Sequence, residues 1–173
     1  MSRVLVVAPH PDDETLGCGG TLLRHVSEGD SVVWLIVTAM DQSKPSTRKL
    51  ALARDKEIDL VSEAYGFVKV VSLGFAAANL DAIPLKTIVA AISEVFMEFE
   101  PEIVYLPYRN DAHSDHTVTF DAVVACSKTF RNPSVKTILA YETLSETNFG
   151  LHPEDPGFKP NVFVSVSEFI EKK

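Results

Sequence analysis

Apolar and polar positions fall into alternating blocks along the chain. Arg3 to Ala8 (RVLVVA) is a near-continuous apolar run, the pattern of a strand buried on both faces of a parallel sheet. Thr15 to Glu28 follows as a helix with Leu16, Leu22, Leu23 and Val26 on its inner face and Gly29 as its stop. Ser31 to Thr38 (SVVWLIVT) reads as a second strand, Ser46 to Tyr65 as a helix closed by Gly66, and Val68 to Leu73 as a third strand. Leu85 to Phe99 returns to helical spacing through Ile88, Ile92, Val95, Phe96 and Phe99. A strand at Ile103 to Leu106 and a helix at His116 to Lys128 come next. Past Val135 the pattern thins to two short strand candidates, Thr137 to Tyr141 and Val162 to Val166, with Pro153, Pro156 and Pro160 in the polar stretch between them. Ser167 to Lys173 resembles a helix just starting behind a Ser167 cap. So short a helix is marginal, so either the tail frays or a C-terminal portion has been lost.

Strands and helices in this alternation imply right-handed crossovers and a parallel, doubly wound α/β sheet. A chain of 173 residues with 46% apolar content suits one core, so a single domain over 1–173 is expected. No internal repeat or low-complexity tract interrupts it.

Charge and cysteine usage narrow the function classes. The net charge is -8 and the basic residues are scattered, so there is no electrostatic footprint for nucleic acid. No apolar stretch nears the ~20 residues that span a bilayer. The N-terminus enters a strand at once, without the basic and apolar regions of a signal peptide. Cys18 and Cys126 lack CxxC spacing and read as free thiols in a reducing compartment, so a cytoplasmic location is expected. A homo-oligomer stays open.

The chemistry concentrates where two apolar strands end. The first runs into His10-Pro11-Asp12-Asp13-Glu14, and Ile103 to Leu106 leads into Asp111-Ala112-His113-Ser114-Asp115-His116. Ligands of open α/β sheets gather outside the carboxyl ends of the strands, so the two clusters read as one mononuclear metal hydrolase site. A catalytic Zn²⁺ takes three protein ligands and keeps a position for water. His10 and Asp13 are close enough across a tight turn to share an ion. Asp12, between them, cannot easily point the same way and is a natural base for the water. Helix capping alone would also account for Asp12, Asp13 and Glu14. The second cluster shifts that balance, because His116 can supply the third ligand. His113 is then left to stabilise an oxyanion or protonate a leaving amine, oriented by Asp115. Spacing alone does not rank His113 against His116 as ligand.

Other features carry less. Gly17-Cys18-Gly19-Gly20 has the wrong spacing for a dinucleotide fingerprint and fits close helix–sheet packing better. His25 and His152 lack evident partners and read as ordinary surface or loop histidines. Arg54 could reach a substrate or pair with Glu57 one helical turn on.

The whole run from His10 to Leu22, with Arg54-Asp55-Lys56-Glu57, Asp111 to His116 and Phe158 to Val164, resembles the LmbE-like or PIG-L-type zinc-dependent N-deacetylases. The resemblance implies a Rossmann-like three-layer sandwich with a mostly parallel central sheet. It implies one Zn²⁺ on His10, Asp13 and His116, with Asp12 as general base, His113 and Asp115 as a charged pair at the transition state, and Arg54 as a substrate contact. The implied reaction removes an acetyl or other acyl group from the amide nitrogen of an N-acetylglucosamine-type sugar or glycoconjugate. Its partner is thus a small molecule. Some members carry a tyrosine shortly before the second motif's first histidine, where Asp111 stands here, and members commonly extend further at the C-terminus. A non-catalytic, metal-retaining sugar- or partner-binding member of the same fold is the alternative.

Overall fold

The computed structural model describes residues 1–43, 45–151, 154 and 157–173. His152, Pro153 and Pro156 lie outside the described residues. In chain order the elements are β1 (Arg3–Ala8), α1 (Asp13–Ser27), β2 (Ser31–Ala39), α2 (Pro45–Tyr65), β3 (Lys69–Ala76), a 3₁₀ turn (Leu80–Ala82), α3 (Leu85–Phe99), β4 (Ile103–Pro107), α4 (Ser114–Cys126), β5 (Thr137–Tyr141) and a short α5 (Leu144–Thr147). The sheet order is β3-β2-β1-β4-β5 and every neighbouring pair is parallel. The chain builds outward from β1 to β3, then crosses back to lay β4 on the other side of β1. That reversal opens a crevice at the carboxyl ends of β1 and β4, where such folds bind ligands.

Strand periodicity explains the two cores. Leu5 and Val7 of β1 and Val33, Leu35 and Val37 of β2 point to one face, under Ile92 and Phe96 of α3 and Val123 of α4. Val4, Val6 and Ala8 with Trp34 and Ile36 point to the other, under Leu22 and Leu23 of α1 and Tyr65 of α2. Helices on both faces make the three-layer sandwich, and for that reason the central strands β1, β2 and β4 are apolar without alternation. Gly29 (φ +86°) and Gly66 (φ +80°) end α1 and α2 in the left-handed conformation that glycine adopts without steric cost.

Two expectations about the tail are corrected. Residues 162–166 belong to no strand, and 167–172 form turns where a helix was expected. The segment crosses α1 and does not extend the sheet. A Cβ placed on Gly20 would lie 2.8 Å from Cβ of Val166, so the tail packs directly on the helix. Among the described residues no helix is long and apolar enough to cross a membrane.

Candidate metal centre

A tight turn links β1 to α1. The carbonyl of His10 accepts from the backbone N–H groups of Asp12 (2.9 Å) and Asp13 (3.3 Å), while Asp13 Oδ2 accepts from His10 N–H at 2.9 Å. Asp13 is therefore the first residue of α1, where a helix N-terminus favours a carboxylate. Across the crevice α4 begins at Ser114, and His116 lies fully buried in its first turn. Asp13 Oδ2 sits 3.3 Å from His10 Nδ1 and 3.3 Å from His116 Nε2.

The imidazole nitrogens pointing away from this convergence are each backed by a carboxylate. His116 Nδ1 lies 2.7 Å from Asp111 Oδ2, and His10 Nε2 lies 3.1 Å from Asp115 Oδ2. A carboxylate behind each ring holds the proton there and turns the opposite nitrogen's lone pair toward the centre. His116 Nε2 is buried and makes no hydrogen bond. A buried polar atom without a partner is costly, and this one lies beside a carboxylate and a second imidazole. Two nitrogens and one oxygen, with His10, Asp13 and His116 each offering an atom within 4.8 Å of the others, make a donor set that fits a Zn²⁺-like ion.

Electrostatics follow the same geometry. Burial disfavours the charged form of His10, but Asp115 and Asp13 overcome it and raise its pKa to about 9. For His116, burial is likewise overcome by Asp111 and Asp13, again to about 9. Asp13 is held well below the usual carboxylate range, since the two imidazoles beside it outweigh its burial. The Asp12 carboxyl moves the other way, upward, through partial desolvation and the neighbouring Asp13 charge. Glu14 is fully buried, and burial pushes its carboxyl up to about 7.

The structure thus brings His10, Asp13 and His116 together, with Asp12 at the mouth. Asp12 and Arg54 line a cleft of about 420 Å³ walled by Met40, Ile58 and Val70. Arg54 also lies 3.6 Å from Glu57, the pairing one helical turn on that the sequence allows. His113 differs from expectation. Its Nδ1 accepts the backbone N–H of Asp115 (3.1 Å) as the N-cap of α4, and its ring centroid lies 4.6 Å from that of His10. The Asp115 carboxylate is 3.9 Å from His113 Nδ1 and turns to other partners. It accepts from Ala78 N–H (2.7 Å) and Leu80 N–H (3.1 Å) besides facing His10. Capping explains the change: with His113 Nδ1 turned to the free N–H of the helix, the carboxylate is left for His10 and the β3–3₁₀ loop. Ala78 in that loop has φ +55°, a left-handed conformation that costs a non-glycine residue about 1–2 kcal/mol.

Sequence reasoning missed several partners. Asp111 appeared only as a substitute for a tyrosine, whereas it holds His116; the rule that a ligand imidazole needs a carboxylate behind it could have found it. The loop amides of Ala78 and Leu80 carried no sequence signal. His25 is not partnerless: Nδ1 lies 2.8 Å from Asp30 Oδ2 and Nε2 lies 2.9 Å from Tyr105 Oη. The glycines after the first motif do serve packing, since a Cβ on Gly17 would lie 2.3 Å from the Tyr141 ring.

Comparison with known proteins identifies the family. The family described as PIG-L: GlcNAc-PI de-N-acetylase matches residues 5–127, which hold both motifs. Diacetylchitobiose deacetylase of Thermococcus kodakarensis is 30% identical over 190 aligned residues, which cover 100% of this chain and 67% of that protein. Probable N-acetyl-alpha-D-glucosaminyl L-malate deacetylase 2 of Bacillus anthracis is 28% identical, over 99% of this chain and 76% of its own. Among solved structures, the conserved protein TT1542 from Thermus thermophilus aligns with a TM-score of 0.76 at 30% identity, over 99% of this chain and 75% of its own. With the fold, both motifs and these relatives in agreement, the chain belongs to the PIG-L family of de-N-acetylases, enzymes that hydrolyse amides.

Proposed function

We propose that this enzyme is a cytoplasmic, zinc-dependent N-deacetylase that removes an acetyl or other acyl group from the amide nitrogen of an N-acetylglucosamine-type sugar or glycoconjugate. The observation that carries the reading is the orphaned Nε2 of His116, buried beside Asp13 and His10 while carboxylates occupy the far side of both rings. His10, Asp13 and His116 would hold one Zn²⁺, whose chemistry is to polarise the acyl carbonyl and acidify a water.

The chain's own residues supply the rest. Asp12, raised in pKa and exposed at the cleft, would take a proton from the attacking water and could return one to the departing amine. His113 keeps its proton on Nε2, because its Nδ1 accepts from Asp115 N–H, and would donate a hydrogen bond to the oxyanion of the tetrahedral intermediate. Asp115 would act on that intermediate only indirectly, by orienting His10 and the residue 78–80 loop. Arg54 would contact the sugar from the cleft wall. Acetate and a free amino sugar leave.

The substrates in the two relatives' names, diacetylchitobiose and N-acetyl-alpha-D-glucosaminyl L-malate, are both N-acetylated amino sugars and support the substrate class. The buried free thiols Cys18 and Cys126 accord with a reducing compartment. The test is acetate release from a panel of N-acetylated amino sugars, with metal content measured alongside. Asp12→Asn is expected to keep its zinc and lose about 10²–10⁴-fold in turnover. His116→Ala is expected to lose the metal. Zinc retained in full by His116→Ala would overturn the ligand assignment. Zinc-loaded wild type that releases acetate from no amino sugar would favour the binding-member alternative.

A further inference from the structure

The family match ends at residue 127, yet the support of His116 continues beyond it. His116 Nδ1 and Asp111 Oδ2 meet at 2.7 Å with both side chains fully buried. The second oxygen of that carboxylate, Oδ1, accepts from the hydroxyl of Thr147 at 2.6 Å. Thr147 Oγ1 accepts in turn from the backbone N–H of Thr143 at 2.8 Å, so its one proton has a fixed direction, toward Asp111. The segment carrying Thr147 is docked on the second-motif loop at two further points. Ala112 N–H donates to the carbonyl of Glu146 at 3.1 Å, and a Cβ on Gly150 would lie 2.0 Å from the carbonyl oxygen of Asn110. A continuous chain therefore runs from the Thr143 amide through the Thr147 hydroxyl and the Asp111 carboxylate to the His116 imidazole.

We infer that Thr147 is a positioning residue for the metal centre: it fixes the rotation of Asp111, which in turn holds the His116 ring with Nε2 aimed at Asp13 and His10. The inference rests on the reading of His10, Asp13 and His116 as ligands. A carboxylate held at one oxygen only can turn about its own axis, and the imidazole it steers turns with it. Because His116 is buried, water cannot take over the orienting role. Loss of such outer partners costs about 10–100-fold in metal affinity.

The experiment measures zinc affinity by chelator competition on the full chain for wild type, Thr147→Val, Thr147→Ala and Thr147→Ser. The visible spectrum of the cobalt(II)-substituted protein reports ligand geometry, and the melting temperature of metal-free protein reports folding. Thr147→Val keeps the shape and removes the hydroxyl. It is expected to weaken zinc about 10–100-fold and change the cobalt spectrum. Thr147→Ser restores the hydroxyl and is expected to return both toward wild type. Thr147→Ala removes the same group without a branched methyl and replaces the valine variant if that fails to fold. Unchanged affinity and spectrum in the valine and alanine variants, against a tightly binding wild type, would overturn the inference. So would a serine variant as impaired as the valine one, which would assign the effect to the methyl group. A wild type that binds no zinc would instead sink the ligand reading itself.

Discussion

Replacing Asp115 by Asn probes the carboxylate that joins three parts of the site. Its two oxygens serve three groups: Oδ2 accepts from Ala78 N–H at 2.7 Å and faces His10 Nε2 at 3.1 Å, and Oδ1 accepts from Leu80 N–H at 3.1 Å. An amide offers one oxygen. If that oxygen takes the place of Oδ2, the amide nitrogen faces the Leu80 N–H; flipped, it faces Ala78 and His10. In the first orientation the buried Leu80 N–H loses its acceptor and in the second the part-buried Ala78 N–H does, at about 1–3 kcal/mol. The contacts that survive fall from charged to neutral strength, about 1 kcal/mol each. The total, about 3–5 kcal/mol, is a large part of the ~5–15 kcal/mol that holds a domain together. It also releases the left-handed Ala78 from its anchor. At about 2–4 °C per kcal/mol for a chain of this size, the melting temperature should fall by about 6–20 °C. His113→Gln, which removes the cap of α4 and a ring contact with His10 but leaves the Asp115 carboxylate its partners, should cost about 1 kcal/mol. Thermal unfolding of the metal-free variants tests the order, and amide hydrogen exchange at Ala78 and Leu80 tests the cause. An Asp115→Asn protein that melts within about 2 °C of wild type, with both amides equally protected, would refute the reasoning.

Asp30 gives a pH-dependent expectation: burial raises its pKa, but hydrogen bonds from Ser2 N–H (2.6 Å) and His25 (2.8 Å) outweigh that and leave it below the ordinary 3.8. Its stabilising effect is therefore complete above that ordinary value and is lost as pH falls through the depressed one. Urea unfolding should find Asp30→Asn least stable relative to wild type near neutral pH, with the gap closing in acid; a constant gap would count against the assignment. Gly17→Ala gains about 1 kcal/mol of helix propensity. The new Cβ, however, would lie 2.3 Å from a Tyr141 ring that is pinned by its hydroxyl to the Val7 carbonyl at 2.9 Å. Overpacking of that severity belongs at the upper end of about 1–3 kcal/mol, so the denaturation midpoint should drop, and an unchanged or raised midpoint contradicts the packing account.

The central strands β1, β2 and β4 were legible because both faces of the sheet are covered there, which leaves long apolar runs, and the four long helices showed in the spacing of their apolar positions. Boundaries shifted where site residues make the first turn: α1 starts at Asp13 and α4 at Ser114, ahead of any apolar position. The run Val162-Phe163-Val164-Ser165-Val166 has strand composition, but a strand needs a partner, and contact with Gly20 takes these residues across α1. The 3₁₀ turn and α5 are too short to show a period. Within the site, identities were readable and orientations were not. Asp115 and His113 are neighbours in sequence, whereas the carboxylate bonds to His10, 105 positions away. Likewise one of the two partners of His25 is Tyr105, on a strand 80 residues further on.

The reversal between β1 and β4 also sets a time order. His10 and Asp13 stand on the part of the chain laid down from β1 to β3, and His116 arrives only with the second part. The grip of three side chains cannot exist until Val4 has paired with Ile103 and Val6 with Tyr105. Parallel pairing between strands so far apart in sequence is slow, because a long loop must close before any contact rewards it. In a refolding experiment tight zinc capture should therefore lag behind collapse and helix formation and mark the closing of the last crossover. Once captured, an ion held from both sides of that seam would oppose its reopening, so metal release and separation of the two halves should proceed at one rate.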